Sequence, residues 1–372
     1  MKIKHFAVTG LNKKIDFSFD FHSDINILTG INGSGKTTAL KLAWYLVSGN
    51  TIKIRTEISF RTCRIVTDSF EVNLEREGSR NIRYTFSAGD VSQEGAFDDM
   101  EHDGDGDPIM DGEDMLRDLI REVSDQSLYF PTFRRIEGGY SITARRGRFA
   151  PRLMGASPSD IDLSAQLEQI SKMLSAGHHK FVCSISTEDI AALLTERYAV
   201  VSEGLNSKYT EFSSDILERI RAWEQGGENS RDQSDQLLLR IQATANDIDG
   251  FRDATLKPFN VLSNLVANLF NYQGVKVKGL ALGDAAKAID SDILSAGEKQ
   301  MLSFLVYNAF AINTPIFIDE PELSLHPDWQ RKLFPTLLEQ QASNQFIISS
   351  HSPFIYAKYG DKELRLSPER GD

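Results

Sequence analysis

Gly30-Ile31-Asn32-Gly33-Ser34-Gly35-Lys36-Thr37 decides the reading of this chain. Its three glycines permit turns that aim successive backbone N–H groups at one point, and a phosphate oxygen is what such a nest holds. Lys36 supplies a cation for the β and γ phosphates of ATP, and Thr37 supplies a hydroxyl for its Mg²⁺. Asn32, Gly33, Ser34, Gly35 and Thr38 complete the expected cradle. The flanks agree. Ile25-Asn26-Ile27-Leu28-Thr29 is short and apolar, as a central strand should be, and Thr38 to Leu46 carries Leu40, Leu42, Ala43 and Leu46 at helical spacing. A strand, a glycine loop and a helix together place a helix N-terminus at the same phosphates.

The partner elements lie more than 250 residues downstream. Residues 315–320 are a proline and an apolar strand that ends in two carboxylates. Asp319 is placed to orient Mg²⁺, and Glu320 to polarise an attacking water. Alone, such a strand would read as one ending in solvated acids; with Lys36 the two motifs support each other. Phe346-Ile347-Ile348-Ser349 is a second buried strand leading to His351, which at a strand end near phosphate can contact the γ phosphate or position water. Leu294-Ser295-Ala296-Gly297-Glu298 opens a helix that runs on through Met301, Leu302, Leu305 and Val306. Its free N–H groups and serine hydroxyl form another anion site. A chain with one P-loop and a second anion site suggests an ATP clamped between two subunits.

Between these halves the pattern predicts strands over 1–9, 11–21, 52–60, 63–74, 80–87 and Ser127–Phe130, with an acidic loop over 92–114 and a short helix over Met115–Val123. From about residue 160 apolar positions recur at helical spacing. The break Gly226-Gly227-Glu228-Asn229 separates two helical stretches, and a further helix led by Pro258 covers 259–270, followed by a strand over Val275–Leu282. No heptad persists, so a compact helical lobe is favoured over an extended arm. The predicted organisation is 1–155 and 273–372 as two halves of one α/β head with mixed sheets, and 156–272 as an inserted, mainly helical lobe.

Composition sets wide bounds. The chain has 372 residues, 41% of them apolar, enough for a substantial core. Two distant cysteines, Cys63 and Cys183, give neither a disulfide framework nor a zinc site. No apolar leader or membrane-length run is evident, so a cytoplasmic protein without membrane contact is expected. The net charge is −12, but residues 94–118 hold eleven acids against Arg117 alone, so any nucleic-acid site must be local. A candidate patch is Arg134, Arg135, Arg145, Arg146, Arg148 and Arg152, interleaved with Phe133, Tyr140 and Phe149. Such a patch can grip a nucleic-acid backbone, or serve as a charged subunit interface. Asp103, Asp105 and Asp107 are spaced like the start of a calcium loop, but Pro108 stands where that loop needs glycine, so an acidic docking insert is the better reading.

These motifs together resemble the ABC-type ATPases, and among them the SMC-, Rad50-, RecF- and OLD-like group. Leu294-Ser295-Ala296-Gly297-Glu298 is similar to the family's signature, with Ala296 in place of a common glycine. Asp319-Glu320 is similar to the Walker B pair, Pro321 to Pro327 to the dimer-contact loop, and His351 to the switch histidine. The resemblance implies a head-to-tail homodimer, or a higher oligomer, holding two ATPs. It also implies a glutamine in the Mg²⁺ shell, for which Gln126 is the nominee and Gln93 the alternative. OLD-family nucleases continue past the switch histidine into a Toprim domain. Here about twenty residues follow His351, which leads to the expectation that any nuclease is a separate effector protein. The first reading is therefore an ATP-driven switch governing such an effector, of the kind found in bacterial anti-phage defence. A RecF-like DNA-repair ATPase and a slow-turnover structural scaffold are the alternatives.

Overall fold

The strands fall into two burial classes, and each class makes its own sheet. In a computed structural model, residues 1–78, 81–98, 100–102, 108–132, 135–136, 163–185, 187–225, 231–270, 295–323, 325–340 and 342–366 are described. β1 (Ile3–Leu11), β2 (Ile15–Asp20), β4 (Thr62–Thr67), β5 (Glu71–Glu77), β6 (Asn81–Ala88) and β7 (Val91–Ala96) form an antiparallel sheet in the order β2-β1-β4-β5-β6-β7. Alternate residues are buried: Cys63 and Ile65, Val72 and Leu74, then Ile82, Tyr84 and Phe86. That is the pattern of a sheet with one face on a core and one toward water.

The second sheet is parallel throughout, in the order β12-β10-β14-β15-β3-β16. Its strands are β3 (Ile25–Thr29), β10 (Ser127–Phe130), β12 (His179–Phe181), β14 (Pro315–Asp319), β15 (Gln345–Ser349) and β16 (Glu363–Arg365). Every residue of β3, β10, β14 and β15 is buried, as expected where a parallel sheet is covered on both faces. Helix α1 (Lys36–Val47) is apolar almost all round and belongs to one core with both sheets. Its Trp44 ring packs 5.4 Å from Tyr129 and 5.5 Å from Phe181. The core thus fixes the helix that carries Lys36.

Several expectations change. Residues 52–60 are not a strand: Thr51–Glu57 is a helix, α2, with Ile54 buried and Ile52 exposed. The stretch 92–114 is not all loop. It contains β7, the short pair β8 (Met100–His102) and β9 (Pro108–Asp111), and the start of α3 (Gly112–Val123). Asp111 caps α3 by accepting from the Asp114 N–H at 2.7 Å. Asp103, Asp105 and Asp107, and the strand expected over Val275–Leu282, lie outside the described residues.

The helical insertion differs most. α5 (Thr187–Gln225) and α6 (Arg231–Phe270) are single helices of 39 and 40 residues that pack against each other. At 1.5 Å per residue each is roughly 60 Å long, an arm and not a compact lobe. Pro258 sits inside α6 and does not begin a new helix. The chain divides into one unit of Met1–Ser186, Ser295–Phe304 and Ala311–Asp372, and a second of Thr187–Leu294 with Leu305–Phe310. The boundary expected at 156 moves to 187 because β12 pairs with β10, and α4 (Leu163–Leu174) packs on β12, drawing residues 163–185 into the head. Among the described residues no helix is long and apolar enough to cross a membrane.

Candidate active site

The P-loop joins β3 to α1. Gly33 and Gly35 have φ of 81° and 82°, values L side chains rarely adopt, and a Cβ on Gly35 would stand 2.8 Å from the Ile15 side chain. Gly35 is also the N-cap of α1, so the loop turns directly onto the helix N-terminus. The Lys36 ammonium donates to the Gly30 and Ile31 carbonyls, each at 3.1 Å, so the loop curls around its own lysine. Burial pushes Lys36 below the ordinary lysine range, while Glu320, Asp319 and Glu322 pull the other way. A desolvated cation of this kind gains strongly from an arriving polyanion.

Asp319 ends β14 and is fully buried. Three hydroxyls converge on its carboxylate: Thr37 donates to Oδ1 at 3.1 Å, Ser349 donates to the same oxygen, and Thr132 donates to Oδ2. They come from α1, the end of β15 and the residues just past β10, so four chain segments meet at one carboxylate. This set of hard oxygens suits Mg²⁺. Among the described residues no three His, Cys, Asp or Glu side chains group as a metal cage. A Mg²⁺ that arrives with nucleotide phosphates needs only one or two protein ligands.

Gln126 is not part of this cluster. It precedes β10 and donates to the Thr314 hydroxyl at 2.7 Å, at the edge where the parallel strands begin. Asp319 lies where they end, about 15 Å away at the rise of a strand. Gln93 pairs with Phe86 inside the antiparallel sheet and has no place at the cluster either. Thr132 stands at Asp319 instead.

Glu320 and His351 follow the ends of two adjacent strands whose last paired residues are Asp319 and Ser349. His351 Nε2 is 3.9 Å from Glu320 Oε1. Glu320 adopts a left-handed backbone with φ of 47°, held by its N–H donating to the Ser349 carbonyl at 3.0 Å. Asn32, Gly33, Gly35, Lys36, Thr37, Thr38, Glu320 and His351 line one open cleft of about 460 Å³, within the range of small-molecule sites. The cleft also takes in Asn12 of the β1–β2 turn, which no motif marked and whose amide donates to Thr38 Oγ1 at 3.4 Å.

The signature residues stand apart from that lining. Helix α7 (Ala296–Phe310) begins with a capping box: Ser295 Oγ donates to Glu298 Oε2 at 2.8 Å, and the same oxygen accepts the Ser295 N–H at 2.7 Å. Ser295 is exposed and Glu298 buried. Ser295, Gly297 and Glu298 are not among the described residues that line the Lys36 cleft. Of the arginine patch, Arg134, Arg145, Arg146, Arg148 and Arg152 lie outside the described residues, as does Leu294. The Arg135 backbone pairs with Ser184, joining the two-residue strands β11 (Arg135–Ile136) and β13 (Ser184–Ile185).

Comparison with known proteins gives two family matches. Residues 1–276 match the family described as an AAA domain, and residues 198–356 the family described as an AAA ATPase domain. No curated protein matches the sequence. Among solved structures, an Smc head domain with an extended coiled coil, bound to the C-terminal domain of ScpA and derived from Pyrococcus furiosus, aligns at 11% identity. That alignment covers 96% of this chain and 91% of the other, with a TM-score of 0.37. An SmcHead bound to the C-winged helix domain of ScpA aligns at 12% identity over the same shares, with a TM-score of 0.38.

Proposed function

We propose, from the premise that this chain belongs to the AAA domain family, that it is an ATPase head whose nucleotide cycle acts on its own long helical arm. Membership of such a family implies ATP binding and hydrolysis. The observation that carries the reading is the convergence of Lys36, Thr37, Asp319, Glu320 and His351, drawn from three separated stretches of sequence, at the ends of parallel strands. In an open parallel sheet that edge is where ligands bind.

In this reading the glycine loop and Lys36 hold the β and γ phosphates, with the α1 N-terminus behind them. Mg²⁺, held by Thr37 and Asp319, supplies charge neutralisation when bound. Glu320 accepts a proton from the attacking water, and His351 orients that water or the γ phosphate. Ser295 to Glu298, exposed at Ser295, serve the ATP of a second copy in a head-to-tail homodimer.

The two long helices favour the DNA-associated, RecF-like or scaffold reading over control of a separate nuclease, because a pair of helices roughly 60 Å long is a device for reaching or bridging. The effector and anti-phage reading has only the resemblance of the motifs behind it.

The test uses the whole chain. Wild-type protein should bind and hydrolyse ATP in the presence of Mg²⁺, and Lys36→Ala should lose binding. Glu320→Gln with ATP should accumulate as a dimer in light scattering. A Glu320→Gln protein that stays monomeric at saturating ATP would defeat the dimer assignment. Equal ATP affinity in Lys36→Ala would defeat the site.

A further inference from the structure

The chemistry stands just beyond the point where the sheet stops. The β14–β15 ladder closes at Asp319 opposite Ser349. From there Ser350 still donates its N–H to the Leu28 carbonyl of β3 at 3.2 Å, but His351 and Ser352 run on past both neighbouring strands, although backbone N–H groups need acceptors when withdrawn from water. One side chain accepts from both, and the Ser352 N–H also reaches Ser350 Oγ at 3.0 Å. Glu322 Oε1 accepts from the His351 N–H at 2.6 Å, the Ser352 N–H at 3.1 Å and the Ser350 hydroxyl at 3.0 Å. Three donors thus share one side-chain oxygen, held in reach by the length of the Glu322 side chain.

A second tie reinforces the first. Ser352 Oγ donates to Gln330 Oε1 at 2.6 Å, while Gln330 Nε2 donates to the Leu325 carbonyl at 2.8 Å. Gln330 lies on α8 (Pro327–Glu339), so the segment carrying His351 is fastened directly to Glu322 and, through Gln330, to Leu325. Glu322 reaches His351 through its backbone, leaving the imidazole free to face Glu320.

We propose that Glu322 is a positioning residue for the hydrolysis step: its carboxylate takes the place of a strand for the His351 and Ser352 N–H groups and fixes the His351 backbone so that the imidazole stands beside Glu320. The proposal rests on the reading of this site as an ATPase centre. It makes the loop after the acidic pair the element that sets His351, so whatever moves that loop moves His351 with it.

The test compares three variants of the full chain. Glu322→Gln keeps an acceptor oxygen at the same reach, Glu322→Asp keeps the charge but withdraws it by one methylene, and Glu322→Ala removes both. Positioning predicts that Glu322→Ala loses at least tenfold in kcat while KM for ATP stays within about threefold, an interaction made only on the way to the transition state. Glu322→Gln should recover most of that loss, and Glu322→Asp should not. Amide hydrogen exchange at His351 and Ser352 should quicken in Glu322→Ala and Glu322→Asp but not in Glu322→Gln. If Glu322→Ala fails to fold, the order of Gln above Asp decides alone. Wild-type kcat in Glu322→Ala overturns the proposal, as does Asp matching wild type while Gln is dead, since charge and not reach would then be at work. Wild-type protein that hydrolyses no ATP sinks the ATPase reading together with this one. An active wild type with indifferent variants sinks only this one.

Discussion

In the antiparallel sheet most polar side chains sit on the face away from the core; in the four central strands of the parallel sheet they are buried. Arg64, Asn73 and Arg83 belong to the first kind and are partly or well exposed. Asn26, Asp319, Gln345 and Ser349 belong to the second and are at most 0% exposed. Both sheets press on the same apolar cluster around α1. Buried polar groups must be paired, so each in the parallel sheet has a partner: Asn26 bonds the His22 backbone, Gln345 bonds Ile3, and Asp319 takes its three hydroxyls. The antiparallel sheet contributes stability, and the parallel sheet gathers the candidate site at its exit edge. Mutations should therefore separate the two.

The largest effect belongs to the exit edge. Glu320→Gln should lower kcat by on the order of 100-fold or more, the usual worth of a general base, with the melting temperature unchanged or raised. A steady-state assay beside a thermal melt checks both halves. In the antiparallel sheet, Phe86→Ala removes a ring that is 1% exposed and stacked on Phe70. It should cost about 3–5 kcal/mol in urea unfolding while turnover per folded molecule holds. Loss of kcat in that variant would erase the contrast.

A pH effect sharpens it. His179 on β12 is buried with both ring nitrogens engaged, Nε2 by Ser124 at 3.0 Å and Nδ1 by Ser127 at 2.8 Å. Burial foremost, then Arg121 and His178, lower its pKa from 6.5 to about 4, against a pull from Asp125. The unfolded chain then binds the proton more readily, so this contribution is complete above pH 6.5 and disappears as pH falls toward 4. It amounts to on the order of 3 kcal/mol. Unfolding free energies across that range should fall more steeply in wild type than in His179→Asn. The smallest effect is on the outer face of the antiparallel sheet. Glu71→Gln breaks the pair with Arg64, whose side chain is 53% exposed, and should change stability by less than about 1 kcal/mol.

The same contrast explains what the sequence made legible. Buried parallel strands read as short apolar runs with motifs at their ends, so β3, β14 and β15 were placed correctly, and Thr37 stands 3.1 Å from Asp319. Edge strand β7 has no buried face to impose a period, and its Gly, Asp and Ser neighbours read as loop. The β-branched residues Ile52, Ile54 and Thr56 read as part of a strand, but they lie in a helix that packs on α3. Gln126 failed for a reason available in advance. In a parallel sheet the chemistry gathers where strands end, and Gln126 precedes its strand while Thr132 follows it. Glu322 carried no such signal, because its partners are backbone amides some thirty residues away. The arm was misjudged because length in a two-helix pair needs no heptad visible in the sequence.

Glu320 holds a backbone conformation that costs an ordinary L residue about 1–2 kcal/mol and costs glycine almost nothing. Selection for folding alone would favour glycine there. Glu320→Gly should therefore melt higher than wild type with the same fold, so the glutamate side chain at 320 is held at a conformational cost that the fold itself does not require.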